Sequence, residues 1–134
     1  MESAAAAAHT PVNQIRVLIA DDEPLFTEMV EALLGPEEDV EIVGKALNGK
    51  DAVRLATALQ PDVVTMDISM PVMDGIDATR EIRTADPGAC ILILTGGSSV
   101  VDVDRARQAG AGAYLTKDRI ASDLVNEIRN LASR

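Results

Sequence analysis

DVVTMDISMPVMDG, residues 62–75, begins as a buried strand and breaks off at an acid. Val63, Val64 and Met66 are apolar, Asp67 follows, and Met70-Pro71 and Asp74-Gly75 read as loop. A short Val-rich run without polar alternation is what a strand covered on both faces requires, and that points to a parallel sheet. An acid at the end of such a strand can cap a helix, bind a metal or be chemically modified.

Runs of the same kind recur along the chain, at IRVLIA (15–20), VEIVGKA (40–46), CILILT (90–95) and AYLT (113–116). Helical patterns lie between them. Leu25, Phe26, Met29, Val30, Leu33 and Leu34 repeat at three-to-four spacing behind Pro24, which suits a first turn. Asn48 is placed to cap a second helix carrying Ala52, Val53, Ala56 and Leu59, stopped by Pro61. Ile76, Thr79, Ile82 and Arg83 mark a third, ended by Pro87-Gly88, and Ile120, Leu124, Ile128 and Leu131 mark the last. The segment SSVVDVDRARQAG offers Ser98 or Ser99 as a cap, but its apolar stripe is only Val100, Val103 and small alanines, so this helix is expected to be loosely held. Five β-α repeats in this order give an α/β fold with helices on both faces of a parallel sheet. Right-handed crossovers favour the flavodoxin-like (βα)5 arrangement, strand order 2-1-3-4-5.

The totals are compatible with one such domain. The chain has 134 residues, 47% hydrophobic and 25% charged, which suits a single core. Residues 1–14 read as a disordered tail and 15–134 as the domain. One Phe, one Tyr and no Trp leave an aliphatic core and few rings for stacking on bases. A net charge of −10 opposes nucleic acid and anionic membranes. The lone Cys90 forms no internal disulfide and opens an apolar run, as a core residue would; this fits a reducing, cytoplasmic compartment. His9 is the single histidine, which excludes multi-histidine metal sites. The Ala4–Ala8 run lacks a preceding Lys or Arg and is too short for a secretory signal, and no run approaches the ~20 apolar residues of a membrane span.

In open parallel sheets, ligands bind beyond the carboxyl ends of the strands. Asp21, Asp22 and Glu23 stand after the first strand, Asp67 after the third (DVVTM, 62–66), Thr95 at the end of the fourth, and Lys117 follows the fifth. The second strand, an edge in this order, ends in nothing comparable. Taken singly these residues have plain explanations. Acids before Pro24 suit a helix N-terminus, threonine ends many strands, and lysine is usually a solvated charge. Four strand ends in the right order make one shared site the better explanation. Two carboxylates about 4 Å apart repel by roughly 4 kcal/mol at an effective dielectric near 20. One lysine does not neutralise three acids, whereas a hard divalent cation does, and all-oxygen ligation favours Mg²⁺. With Mg²⁺ on Asp22 and Asp67, Thr95 and Lys117 could meet the oxygens of a phosphoryl group, and Asp67 could attack phosphorus to give an acyl phosphate.

The segments VLIADDEP, DVVTMDISMPVMDG, ILILT and GAGAYLTKD resemble the receiver domain of two-component response regulators, from about Ile15 to Arg134. The resemblance implies that Asp67 is the phosphoacceptor, taking its phosphoryl group from a sensor histidine kinase. It implies Mg²⁺ ligation by Asp22, Asp67 and the backbone carbonyl of Ser69, with Asp21 acting through a coordinated water. Thr95 corresponds to the switch threonine, Tyr114 to the aromatic switch and Lys117 to the lysine that bridges to the phosphate. A lone Tyr opening a short strand would otherwise read as a half-buried packing residue. Asp118 stands where many receivers have proline, so the peptide after Lys117 can be cis or trans. GAYLTKD is most similar to the NarL/FixJ-type (LuxR-class) receivers, which usually precede a DNA-binding domain. Gly96-Gly97 after Thr95 makes the adjoining loop unusually free.

The resemblance implies a phosphorylation switch and not an enzyme, with a transcriptional output through the α4-β5-α5 or α1/α5 surface and with homodimerisation as one use. The chain stops at Leu131-Ala132-Ser133-Arg134, where a linker to an output domain would begin, so an excised or a stand-alone receiver is expected, without nucleic-acid binding of its own. Two other readings use the same residues. A haloacid-dehalogenase-like phosphohydrolase would place its nucleophile on strand one, and a phosphate-independent interaction module would not need the intact set Asp21, Asp22, Asp67, Thr95 and Lys117.

Overall fold

The computed structural model describes residues 14–97 and 100–133. The Ala4–Ala8 run, His9 and the cap candidates Ser98 and Ser99 lie outside the described residues. The elements follow in the order β1 (Ile15–Ala20), α1 (Pro24–Leu34), β2 (Val40–Ala46), α2 (Gly49–Leu59), β3 (Val63–Asp67), α3 (Gly75–Ala85), β4 (Cys90–Thr95), α4 (Val100–Ala109), β5 (Ala113–Thr116) and α5 (Ile120–Ala132), with a 3₁₀ turn at Lys117–Arg119 before α5. The strands form one sheet in the order β2-β1-β3-β4-β5, every pair parallel. This is the flavodoxin-like order expected from the alternation of runs.

Local chemistry sets the helix ends. Pro24 opens α1. Asn48 caps α2 by accepting a hydrogen bond from the Asp51 amide at 2.8 Å, and Gln60 ends it in the left-handed region at φ 51. Asp74, read in the sequence as loop, caps α3 through the Asp77 amide at 2.8 Å.

Strand residues alternate between two cores, one on each face. Leu18, Val64, Met66, Ile91 and Ile93 pack with Ala52, Ile76 and Ile82 of α2 and α3 and with Ala106 and Ala109 of α4. Val17, Ile19, Val63, Leu92 and Leu94 pack with Phe26, Val30 and Leu34 of α1 and with Ile120, Leu124, Ile128 and Leu131 of α5. Arg129 of α5 further clamps the loop before β2, reaching Asp39 at 2.8 Å and Glu37 at 2.7 Å, and its hydrogen bond holds the Asp39 carboxyl below its ordinary range.

Three apolar residues of the expected stripes face outward instead. Leu25 and Met29 of α1 are 76% and 49% exposed, and Val100 of α4 is 79% exposed. The six α1 positions span too wide an arc for one contact face; the sheet takes Phe26, Val30 and Leu34, and the Leu25–Met29 ridge is left over. In α4 only Ala106 and Ala109 are buried, so the helix is held by small side chains. Cys90 is half-buried at the edge of its core, its Sγ 3.5 Å from the Leu131 carbonyl.

Candidate functional site

Register brings the strand ends together. Ala20 pairs with Met66, Asp67 with Leu94 and Thr95 with Thr116, so Asp21, Asp67, Thr95 and Lys117 emerge side by side on neighbouring strands. They line or adjoin a cleft of about 710 Å³, whose walls include Asp22, Asp67, Ser69, Thr95 and Lys117. It lies where β1 and β3 are adjacent, the point at which the strand order reverses.

Asp21, Asp67 and Thr95 are buried at 2%, 7% and 8% exposure, whereas Asp22 is exposed. Asp21, Asp22 and Asp67 each offer a carboxylate oxygen within 4.8 Å of the others. Asp21 is held by the Glu23 amide, which donates to its Oδ1 at 2.9 Å. Glu23 occupies the N-cap position of α1, yet its side chain makes no cap bond. Helix capping therefore accounts for little of this acidic run.

Lys117 reaches in from the opposite side. Its Nζ lies 3.2 Å from Asp21 Oδ2 and 3.4 Å from Asp67 Oδ1. It also sits 3.8 Å over the centroid of the Phe26 ring, a cation–π contact that fixes the stem between α1 and the site. Among the described residues no peptide bond is cis, so the bond after Lys117 is trans. Burial raises the Asp67 carboxyl from its ordinary 3.8 to about 6, and the Asp21 charge adds to this; Lys117 pulls the other way, and Asp22 raises it slightly.

The loop after β3 is shaped around Asp67. Gly75 donates to the Ile68 carbonyl at 2.8 Å, and a Cβ on Gly75 would lie 2.0 Å from the Asp67 carbonyl oxygen. No other residue fits there. Met73 donates to the Pro71 carbonyl at 2.7 Å across Val72, whose φ of 70 makes this a strained three-residue turn. After β4, the Gly97 amide donates to Thr95 Oγ1 at 3.4 Å, and the half-buried Tyr114 hydroxyl donates to the Gly97 carbonyl at 3.3 Å. Thr95 and Tyr114 thus hold the same loop from two strands.

All-oxygen donors, three crowded carboxylates and a single ammonium suit a hard divalent cation better than zinc or a redox metal. The sequence had named all the carboxylates of this cluster, but not Asp102 of α4, which also lines the cleft. An acid in VVDVD reads as a solvated helix charge, and only the placement of α4 brings it to the mouth.

This chain belongs to the response regulator receiver domain family, whose profile matches residues 17–129. It is 48% identical over 119 residues to the transcriptional regulatory protein PdtaR of Mycobacterium tuberculosis, covering 89% of this chain and 57% of that one. The response regulator protein VraR of Staphylococcus epidermidis is 36% identical over 115 residues, covering 86% of this chain and 55% of its own. The chain therefore spans about half the length of the curated relatives it matches. The crystal structure of a LuxR-family two-component response regulator from Aurantimonas sp. SI85-9A1 superposes with a TM-score of 0.85 at 33% identity, covering 90% of this chain and 86% of that one. Receivers of the LuxR and NarL kind are thus among its relatives, as the GAYLTKD segment had suggested. Among the described residues no helix is long and apolar enough to cross a membrane.

Proposed function

We propose that Asp67 accepts a phosphoryl group from a phosphohistidine of a sensor kinase and that the domain is a phosphorylation switch. The observation that carries this reading is the buried Asp67 carboxylate at the floor of an open cleft, flanked by two acids and contacted by Lys117 at 3.4 Å. An Asp67 oxygen forms the new P–O bond while the P–N bond breaks in a donor whose other ring nitrogen is protonated; the electron pair stays on the nitrogen that held phosphorus, and the imidazole leaves as the neutral base. Lys117 pairs with the incoming phosphoryl oxygens in place of part of its contact with Asp67. The Thr95 hydroxyl, now an acceptor for the Gly97 amide, can turn to donate to another phosphoryl oxygen.

Asp22, Asp67 and the Ser69 carbonyl are the residues proposed to hold Mg²⁺, with Asp21 acting through water. Bound there, the cation would neutralise charge on the transferring group. Movement of Thr95 would release the Gly97 loop, and Tyr114, which shares that loop, would follow. The readout is a population shift on α4, β5 and α5, or on α1 and α5. In a longer protein this surface would contact a transcriptional output domain or a second copy, in the cytoplasm.

The test is intact mass after incubation with Mg²⁺ and acetyl phosphate, beside Asp67→Asn. One phosphoryl group gained by the wild type, and lost in the variant or on adding chelator, is the expected result. Gain retained in Asp67→Asn would overturn the assignment of the nucleophile.

A further inference from the structure

An ammonium offers three N–H donors and no acceptor. Lys117 turns two of its sides to carboxylates, Asp21 Oδ2 at 3.2 Å and Asp67 Oδ1 at 3.4 Å. Another is covered by the Phe26 ring, whose centroid lies 3.8 Å from Nζ. These anchors come from separate parts of the chain: Asp21 follows β1, Asp67 ends β3 and Phe26 lies in the first turn of α1. The ring is itself fixed, being 8% exposed and part of the core that α1 and α5 build on their face of the sheet. It does not line the cleft, so it acts on a bound phosphoryl group only through Lys117. Of the anchors, only the ring is uncharged. A carboxylate in its place would hold the ammonium as firmly, but would add another acid beside Asp21, Asp22 and Asp67 and repel an incoming phosphoryl group. An aliphatic side chain would keep water off the ammonium without attracting it. An aromatic face attracts the cation through its quadrupole and adds no charge to the site.

We propose that Phe26 is a positioning residue for phosphoryl transfer: its ring holds the Lys117 ammonium where the phosphoryl oxygens arrive. The inference rests on the phosphoacceptor reading above. When phosphorus bonds to Asp67, the contact between Lys117 and Asp67 passes in part to a phosphoryl oxygen, and Asp21 and the ring are the anchors that remain. Without the ring, the flexible four-carbon stem lets Nζ settle elsewhere between the carboxylates. The position that meets the phosphoryl group then holds a smaller share of the molecules, and the rate falls with that share. Attraction of a largely desolvated ammonium to a ring face is strong enough to change the share about fivefold or more.

Phe26 is the one phenylalanine in the chain, so fluorinated phenylalanine supplied during expression alters this ring alone. The experiment compares the natural ring with its monofluoro, difluoro and trifluoro forms, which withdraw electron density from the face stepwise at nearly constant shape. Initial phosphorylation rates with acetyl phosphate at saturating Mg²⁺ are read by intact mass, and urea unfolding verifies that each form is folded. The rate should fall stepwise with electron withdrawal, to about fivefold or more below the natural protein in the trifluoro form. Phe26→Leu, which keeps an apolar side chain but has no ring face, should be at least as slow. Equal rates across the series would overturn the proposal even if Phe26→Leu is slow, because ring volume alone would then matter; the phosphoacceptor would be left standing. No phosphorylation of the natural protein would overturn the phosphoacceptor reading, and the role of the ring with it.

Discussion

Asp67→Asn removes a charge from a floor that already holds Asp21 and Asp22, and without metal it should make the protein more stable. The size of the gain follows from the carboxyl's displacement from 3.8 to about 6. At about 1.4 kcal/mol for each unit, full ionisation of Asp67 costs the fold at most about 3 kcal/mol. The cleft is open to water, so screening leaves about 1–2 kcal/mol. The attraction of Lys117 is already contained in that displacement, and Lys117 keeps Asp21 as a partner in the variant. The sign is set by the raised value: the folded state holds the proton more tightly than the unfolded chain does. Wild-type stability therefore falls, relative to the variant, as pH rises from about 4 through about 6, and the gap is constant above about 7. Urea unfolding in chelator at pH 4, 5, 6 and 7.5 reads this directly. At pH 7.5 the variant should melt about 5 °C higher, given the entropy of unfolding of a domain this size. Equal stability at pH 7.5, or a gap that widens toward acid, would refute the reasoning.

Three further outcomes can be checked with single variants. Gly75→Ala puts a methyl group 2.0 Å from the Asp67 carbonyl oxygen, so the loop must shift; a loss of about 2–3 kcal/mol by denaturant unfolding and at least tenfold slower phosphorylation are expected. Thr65 is buried and its Oγ1 has no hydrogen-bond partner among the described residues, so Thr65→Val should raise stability by about 1 kcal/mol in the same assay. Leu25→Gln and Met29→Gln should each leave stability within about 0.5 kcal/mol, because both side chains face solvent; a larger loss would place that ridge in the core.

The sheet was legible because its evidence is local. Strands β1, β2, β4 and β5 begin and end where their apolar runs do, and β3 differs only in taking Asp67 into the strand in place of Asp62. Caps such as Asn48 are equally local, since a side-chain oxygen needs only an amide three residues on. The gathering of Asp21, Asp67, Thr95 and Lys117 was legible for a related reason: in a parallel sheet, residues at successive strand ends share one edge whatever lies between them. What escaped is what depends on which elements pack together. Leu25 and Met29 have the composition and spacing of core residues, and only the angle at which α1 meets the sheet turns them outward. Asp102 looks like any surface acid until α4, packed against α3 and β5, brings it to the cleft. The sequence by itself determined the order of strands and which residues, Asp21, Asp22, Asp67, Thr95 and Lys117, stand at the strand ends, because periodicity and strand ends are written in neighbouring residues. Only the tertiary structure decided the charge at the mouth of the cleft and the elevation of the Asp67 carboxyl to about 6, because burial and Coulomb interactions are properties of distances between segments far apart in the chain.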